Sequence, residues 1–445
     1  MVSRVASRTG ATSALAPLGI CGLIAFCLGS LLSYPVARPS LAARSAGELA
    51  NVVRSEAATE CRQATWTKPQ ILITGKSATS GLHNPSVAVH DEQTVIFGNR
   101  LDATGKPSLN SGPFGYLLYD GTVTPLPTPK GAVSFARPMV SFDQRGRVGV
   151  VWAEQGTVDS VAVASDQLRE PSLWFAERST TTWFRARNVK PNARLRWGDF
   201  SAMPAFSLGG KRHVIIAAFS DSGGPVVLHF RFSSDTAFVD EIRALRGILV
   251  EYLTAVGFGR EGILVGYSSG GEVRVVQSDN EGDQWRSPVE VHITTSGQVK
   301  HLRAAKDDSV VHLVWGTGGP NDFTARTLAH AELNTKTNKW SAVAEEVVPG
   351  GVYNPQIAVD RCGATHVVFG LIADPAHPRI GYARVEGNKW HLNDDGPFSE
   401  LASDAGIGVD GIDPVVVWTE FDTGRSGRRL ESITTMYARL RRSSR

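Results

Sequence analysis

The chain has 445 residues, 42% of them hydrophobic and 20% charged, with 46 basic against 43 acidic side chains and a formal charge of +3. That balance excludes a disordered polyelectrolyte and offers no electrostatic basis for nucleic-acid binding. Its 45 glycines and 23 prolines are frequent turn punctuation, which points to an all-β chain.

In chain order, Arg4 and Arg8 come first, followed by a stretch from Ala11 to Ala37 without a charged side chain. Its apolar run, Leu15 to Leu32, exceeds the ~7–15 residues of a cleaved signal and approaches the ~20 of a spanning helix. Residues 1–37 therefore read as a signal peptide or as an N-terminal membrane anchor helix. Pro35-Val36-Ala37 and Ser40-Leu41-Ala42 are small-residue cleavage sites for the first reading. Under either, the basic start stays cytoplasmic and the bulk of the chain is exported. Cys21 and Cys27 lie in this run without the preceding small residue that lipid attachment requires. The exported part keeps Cys61 and Cys362, which in an oxidising compartment form one disulfide or remain two buried thiols. Residues 38–63 read as a linker, with Ser45 to Arg54 as a short helix.

From residue 64 a repeat sets in: a Pro or small residue, a short apolar strand, a polar turn, and a second strand ending in an aromatic. Pro85-Ser86-Val87-Ala88-Val89 leads to Thr94-Val95-Ile96-Phe97, and Pro138-Met139-Val140-Ser141-Phe142 leads to Val148-Gly149-Val150-Val151-Trp152. Pro204, Thr254, Leu302, Pro355 and Ala405 open five further copies. The starts lie 48 to 66 residues apart, the spacing of a four-stranded propeller blade. Seven copies predict a seven-bladed β-propeller over 64–442, with six blades as the alternative if the last copy packs irregularly.

A second signature is a Trp opening an outer strand, as at Trp183, Trp285, Trp340 and Trp390. Trp66-Thr67-Lys68-Pro69-Gln70-Ile71-Leu72-Ile73 has the same character as Trp285 to Val291 but has no copy before it. The last copy, conversely, ends after a third strand, Ser432 to Leu440. Pairing the N-terminal strand with that C-terminal one would close the ring and leave no open edge. It would also bring Cys61 toward the turns where Cys362 lies. The basic end, Arg439, Arg441, Arg442 and Arg445, reads as a solvated terminus rather than a polyanion contact.

Ser278-Asp279-Asn280-Glu281-Gly282-Asp283-Gln284-Trp285 resembles the Asp-box (BNR repeat) of the sialidase-like β-propellers, Ser-x-Asp-x-Gly-x-Thr-Trp, with Asn280 for Asp and Gln284 for Thr. Asn and Gly suit the left-handed backbone of such a turn, and Ser278 and Asn280 are placed to bond its amides. The resemblance implies binding at the loops of the opposite face, which carry Arg100, Asp102, Arg137, Asp199, Tyr252, Arg303, Arg326 and Tyr353. It also implies a constellation to look for: three arginines clamping a carboxylate, a Tyr–Glu nucleophile pair and an Asp acid/base. Phe135-Ala136-Arg137-Pro138 departs from the family's Phe/Tyr-Arg-Ile-Pro, and no residue stands in a matching catalytic motif.

The function expected is that of an exported glycan- or protein-binding module. The alternative is a glycoside hydrolase of sialidase-like mechanism or one using paired acids such as Asp199 with Asp221 or Glu251. No metal-ligand spacing is present and no cofactor is expected; His312 and His366 read as satisfied strand residues. The partners implied are a glycan or extracytoplasmic protein, and a membrane through the N-terminal segment if it is uncleaved. Trp152, Trp315 and Trp418 end inner strands and read as core.

Overall fold

The computed structural model describes residues 64–75, 82–100, 113–126, 138–154, 172–178, 187–189, 196–197, 204–220, 222–233, 237–294, 297–307, 309–319, 322, 324–371, 379–393, 396–398, 401–411, 413–422 and 432–442. All of them belong to the second of two units, Arg54–Arg445. The N-terminal segment, the linker with its expected short helix, and Cys61 lie outside the described residues. The described chain is all-β, with one short 3-10 turn at Arg243–Leu245. No described helix is long and apolar enough to cross a membrane.

The strands form six antiparallel sheets. Sheet 1 is Leu82–His90, Gln93–Arg100, Pro113–Tyr119 and Thr122–Leu126. Sheet 2 is Met139–Phe142, Val148–Glu154, Ser172–Arg178 and Arg187–Val189. Sheet 3 is Ala205–Leu208, Lys211–Phe219, Pro225–Phe232 and Ala237–Glu241, with Arg196–Trp197 beside its second strand. Sheet 4 is Tyr252–Phe258, Gly262–Ser269, Glu272–Ser278 and Val289–Ile293. Sheet 5 has eight strands, because one long strand, Ala344–Val359, is both the outer strand of its first half and the inner strand of its second. The first half starts with Gln298–Lys306, Val310–Gly318 and Ala325–Asn334; the second continues with Thr365–Leu371, Arg379–Glu386 and Lys389–Asn393. Sheet 6 is Ala402–Asp410, Asp413–Asp422 and Ser432–Arg442, and its outer positions are filled from the other end of the chain. Ala64 pairs with Arg442, Trp66 with Leu440 and Gln70 with Tyr437.

Each sheet buries both faces, which is why its middle strands read as apolar runs such as Ile263-Leu264-Val265 and Val415-Val416-Val417-Trp418. Seven hydrophobic clusters fill the spaces between neighbours. They lie between sheets 1 and 2, 2 and 3, 3 and 4, 4 and the first half of 5, the two halves of 5, its second half and 6, and finally 6 and 1. The innermost strands touch in the same cyclic order, Leu82–His90 lying against both Met139–Phe142 and Ala402–Asp410.

Local chemistry repeats with the sheets. At the turns from first to second strand, Asp143, Asp307 and Asp360 each accept two backbone N–H bonds through Oδ1, at 2.7–3.0 Å. Burial pushes these carboxyls up, yet all three lie below the usual range, Asp143 through its backbone bonds, and Asp307 and Asp360 chiefly through His312 and His366, with the backbone bonds adding to the effect. Phe97 and Phe369, on second strands, each face a Gly: a Cβ at Gly115 would lie 2.4 Å from the Phe97 ring, and one at Gly381 2.3 Å from Phe369. Trp152, Trp315 and Trp418 are fully buried, as expected for core residues, and are closed to sugar stacking. The basic end is a strand rather than a free tail as far as Arg442, and Arg439 donates to Thr94 of sheet 1.

Candidate functional site

At one end of the sheets the first strands enter with a kink. Four of them carry a bulge, between His83 and Ser86, Lys300 and Arg303, Tyr353 and Gln356, and Ser403 and Gly406. Each bulge holds a non-glycine residue in the left-handed region: Asn84 (φ 50°), His301 (57°), Asn354 (46°) and Asp404 (56°). Asn, Asp and His adopt that region most readily, yet four such residues at equivalent positions are local strain held in place by the surrounding sheets. The kinks turn polar side chains over the end of the space enclosed by the first strands.

Those side chains form one connected chain. Arg303 Nη2 donates to Asn354 Oδ1 at 2.8 Å, and Gln356 Nε2 donates to the same oxygen at 2.9 Å. Asn354 Nδ2 donates to Asn84 Oδ1 at 3.2 Å, and Asn84 Nδ2 to His83 Nε2 at 2.8 Å. His83 Nδ1 then meets Asp404 Oδ2 at 2.7 Å. Nε2 therefore accepts and Nδ1 donates, which assigns the Nδ1–H tautomer when His83 is neutral. On the far side of Arg303, the His301 ring lies between Tyr252 at 5.3 Å and Tyr353 at 5.2 Å, the latter edge-on. Arg303 feels both tyrosines, and burial pushes its guanidinium down to about 10, so it stays cationic at neutral pH.

Below this layer is a cavity of about 170 Å³ lined by Val87, Val140, Ala205, Ala255 and Ile357, with Arg303 and Gln356 at its polar edge. It is smaller than the ~300–1,000 Å³ of a pocket that swallows a drug-sized ligand. It suits one small group of a larger ligand resting on the polar layer.

Among the residues singled out from the sequence, Tyr252, Arg303 and Tyr353 are thus brought together. Arg326 is not: its side chain is 77% exposed and its Nε lies 3.2 Å from Asp322 Oδ2. Arg100 ends a second strand opposite Leu82, and only its backbone is described. Asp102, Arg137 and Asp199 lie outside the described residues, as does Asp221 of the proposed acid pairs. Cys362 is disulfide-bonded; Cys61 and the other cysteines lie outside the described residues. Sequence reasoning missed His83, Asn84, Asn354, Gln356 and Asp404. The available signal was Asn before the Pro that opens a repeat, in Asn84-Pro85 and Asn354-Pro355.

The octapeptide turn forms as its chemistry requires. Gly282 N donates to Ser278 Oγ at 2.8 Å and Gln284 N to Asn280 Oδ1 at 2.9 Å, while Gly282 takes φ 91°. Trp285 stands edge-on to the His229 ring at 5.7 Å.

No family model and no curated protein matches this chain. Among solved structures it is similar to a NanB sialidase from Streptococcus pneumoniae, at 10% identity and a TM-score of 0.43, over 84% of this chain and 70% of that one. A Trypanosoma rangeli sialidase has 9% identity and a TM-score of 0.45, covering 84% and 59%. The catalytic domain of a Coprinopsis cinerea GH62 α-L-arabinofuranosidase has 11% identity and a TM-score of 0.33, covering 54% and 89%.

Packing around Trp285 recurs. His213 and His229, on the second and third strands of sheet 3, stack at 5.1 Å, and Trp285 from sheet 4 covers His229. His312 and His330 in the first half of sheet 5 stack at 5.4 Å beneath Trp390 of its second half. His366 and Tyr382 stack at 6.0 Å, and Trp66 lies edge-on to Tyr382 at 5.2 Å. The N-terminal Trp66 thus fills, beside sheet 6, the place that Trp285 and Trp390 fill in their sheets. Burial pushes His213 down to about 4, His229 to about 2 and His330 to about 3, so all three are neutral imidazoles.

Proposed function

We propose that this chain is an exported, seven-bladed β-propeller of the sialidase-like, Asp-box type that binds an acidic glycan at its kinked end. In this reading residues 1–37 are the export signal or anchor, 38–63 a linker and 64–442 the propeller. The two halves of sheet 5 count as two blades, and the N-terminal strands close the ring beside Ser432–Arg442. Seven clusters in cyclic order and the Trp66 position support that count over six. Cys61 is the partner of Cys362, tying the start of the propeller to a turn of another blade. Ser278, Asn280, Gly282 and Trp285 form the Asp-box turn.

The observation that carries the binding reading is Arg303, a half-buried cation near Tyr252 and Tyr353 at the edge of a small cavity. A guanidinium so placed meets a carboxylate or sulfate through paired N–H bonds, while tyrosine and histidine rings offer flat faces to a sugar. Asn84, Asn354 and Gln356 supply neutral donors and acceptors beside it. The carboxylate of the connected chain, Asp404, is already engaged by His83. An extracytoplasmic protein presenting an acidic side chain is the other partner of the same chemistry.

The test is a glycan array and a panel of aryl glycosides, including a sialoside, applied to the full chain. Binding confined to acidic glycans and abolished by Arg303→Ala supports the reading. Turnover of any glycoside would replace it with the hydrolase reading, in which Tyr252 or Tyr353 would act as nucleophile.

A further inference from the structure

The stacked pair in the first half of sheet 5 differs from its counterparts in what surrounds it. His330 and Glu332 alternate on one face of the strand Ala325–Asn334, and Glu332 lies directly across the ladder from His312. His312 Nδ1 is 3.2 Å from His330 Nε2 and 3.7 Å from Glu332 Oε1, and His330 Nε2 is 4.0 Å from that oxygen. Thr365 Oγ1, from the second half of the sheet, is 2.9 Å from His312 Nδ1 and 3.5 Å from His330 Nε2. One imidazole nitrogen thus faces three partners, although it has a single proton or a single lone pair to offer. Its environment is closed: His312, His330 and Thr365 are at most 1% exposed, and Trp390 covers His330 edge-on.

We propose that His312, His330 and Glu332, with Thr365 or a water as fourth donor, form a binding site for a divalent transition cation of the Zn²⁺ class. Four donors at tetrahedral Zn²⁺ bond lengths lie roughly 3.3–3.5 Å apart. The separations found here, 2.9–4.0 Å, bracket that value, and a shift of about half an ångström in the Glu332 carboxylate would close the set. Two imidazoles and a carboxylate are the donors that suit Zn²⁺ rather than Ca²⁺ or Mg²⁺. Asp307 Oδ2, 4.0 Å from His312 Nε2, lies on the outer side of that ring, where a carboxylate orients a metal-bound imidazole.

An internal control argues against a merely repeated packing motif. In sheet 3 the stacked pair His213 and His229 has its nitrogens 2.9 Å apart, but the residue across from His213 is Arg231. A guanidinium there repels a cation. In the second half of sheet 5 the residue across from His366 is Arg384, and Tyr382 replaces the second imidazole. Only the middle copy of the three combines two imidazoles with a carboxylate. With Thr365 contributed by the neighbouring half, the ion would fasten the two halves of sheet 5 together.

The experiment uses the full chain without a polyhistidine tag, stripped with a chelator and titrated with Zn²⁺ or Co²⁺ alone. One equivalent of metal measured by elemental mass spectrometry, a raised thermal midpoint and the visible bands of tetrahedral Co²⁺ are expected. Glu332→Gln, a conservative change at a partly exposed residue, weakens binding by at least about tenfold. His229→Gln, in the sheet 3 pair, leaves metal uptake unchanged. The proposal is overturned if the parent chain takes up no metal. It is equally overturned if Glu332→Gln binds as well as the parent, or if His229→Gln loses the metal to the same degree.

Discussion

Trp66→Ala tests whether the two ends of the chain are fastened together. The indole is half-buried, lies edge-on to Tyr382 at 5.2 Å, and stands 6.4 Å from the Phe398 ring. Its strand is bound at both sides of residue 67: Thr67 N donates to Arg439 O at 2.8 Å and Arg439 N to Thr67 Oγ1 at 3.0 Å. Removing a fully buried Trp costs about 3–5 kcal/mol, and edge-on aromatic pairs contribute about 0.5–1.5 kcal/mol of their own. Half-burial brings the expected loss to about 2–3 kcal/mol. Unfolding entropy of about 2.1 cal/mol/K per residue over the unit Arg54–Arg445 amounts to about 0.8 kcal/mol/K. The midpoint should therefore fall by about 3 °C in calorimetry, with a matching drop in urea midpoint. Trp285→Ala should cost a comparable amount. A loss below about 0.5 kcal/mol for Trp66→Ala, the scale of an ordinary surface change, would show that the N-terminal strand is not part of the cooperative unit.

The neutral buried histidines make stability depend on pH. His213, His229 and His330 have folded values below the unfolded 6.5, so the unfolded chain binds more protons as pH falls from about 6.5 towards 4. Stability must decline across that window by up to about 1.4 kcal/mol per pH unit for each histidine, and urea midpoints that stay flat from pH 6.5 to 5 would refute their burial as neutral rings. Gly282→Ala places a Cβ 2.4 Å from the His229 ring at φ 91°, and should cost about 2–4 kcal/mol; Gly270→Ala, at φ 60° with open space around it, should cost about 1 kcal/mol. Equal losses in urea unfolding would show that the octapeptide turn does not rest on His229. Peptide mapping without reduction should recover Cys362 linked to Cys61, and a Cys362 peptide joined to Cys21 or Cys27 would refute that pairing.

What the sequence made legible was set by period. Apolar runs of four to six residues recurring at near-constant spacing specify strands and their order, because both faces of each sheet meet another sheet and no polar face interrupts the pattern. The turn at Ser278 was legible for a different reason: its geometry depends on side chains within eight residues of one another. Trp66 could be matched to Trp285 because each opens a strand with the same local text. The polar layer around Arg303 had no such local statement. Its members come from first strands up to 321 residues apart, as in the His83–Asp404 contact, and are joined only when the strands are gathered into a cycle. His312 was read as a satisfied strand residue, and its meeting with His330 and Glu332 was not legible because a β-ladder, not a helix turn or short loop, sets their spacing; metal spacings of the His-x-x-x-His kind describe helices.

The two sites stand on different strands, the polar layer on first strands and the His312 cluster on second and third strands, and the division follows from how those strands are built. At the end where first strands enter, four left-handed residues interrupt the ladder, and amide, imidazole and guanidinium groups bond to one another there. At the other end the ladder is regular, and its polar residues are driven inward beneath Trp285, Trp390 and Trp66. An imidazole buried in that layer has to find its partner within the same pair of sheets. In sheet 3 and in the second half of sheet 5 it does so with another ring and an arginine or aspartate close by. Around His312 the partners outnumber what one nitrogen can satisfy, and a cation resolves the excess. The two proposals assign ligand recognition and fastening of the halves of sheet 5 to separate layers, so Arg303→Ala should abolish glycan binding with no change in metal uptake. A loss of both in that one variant would refute the separation.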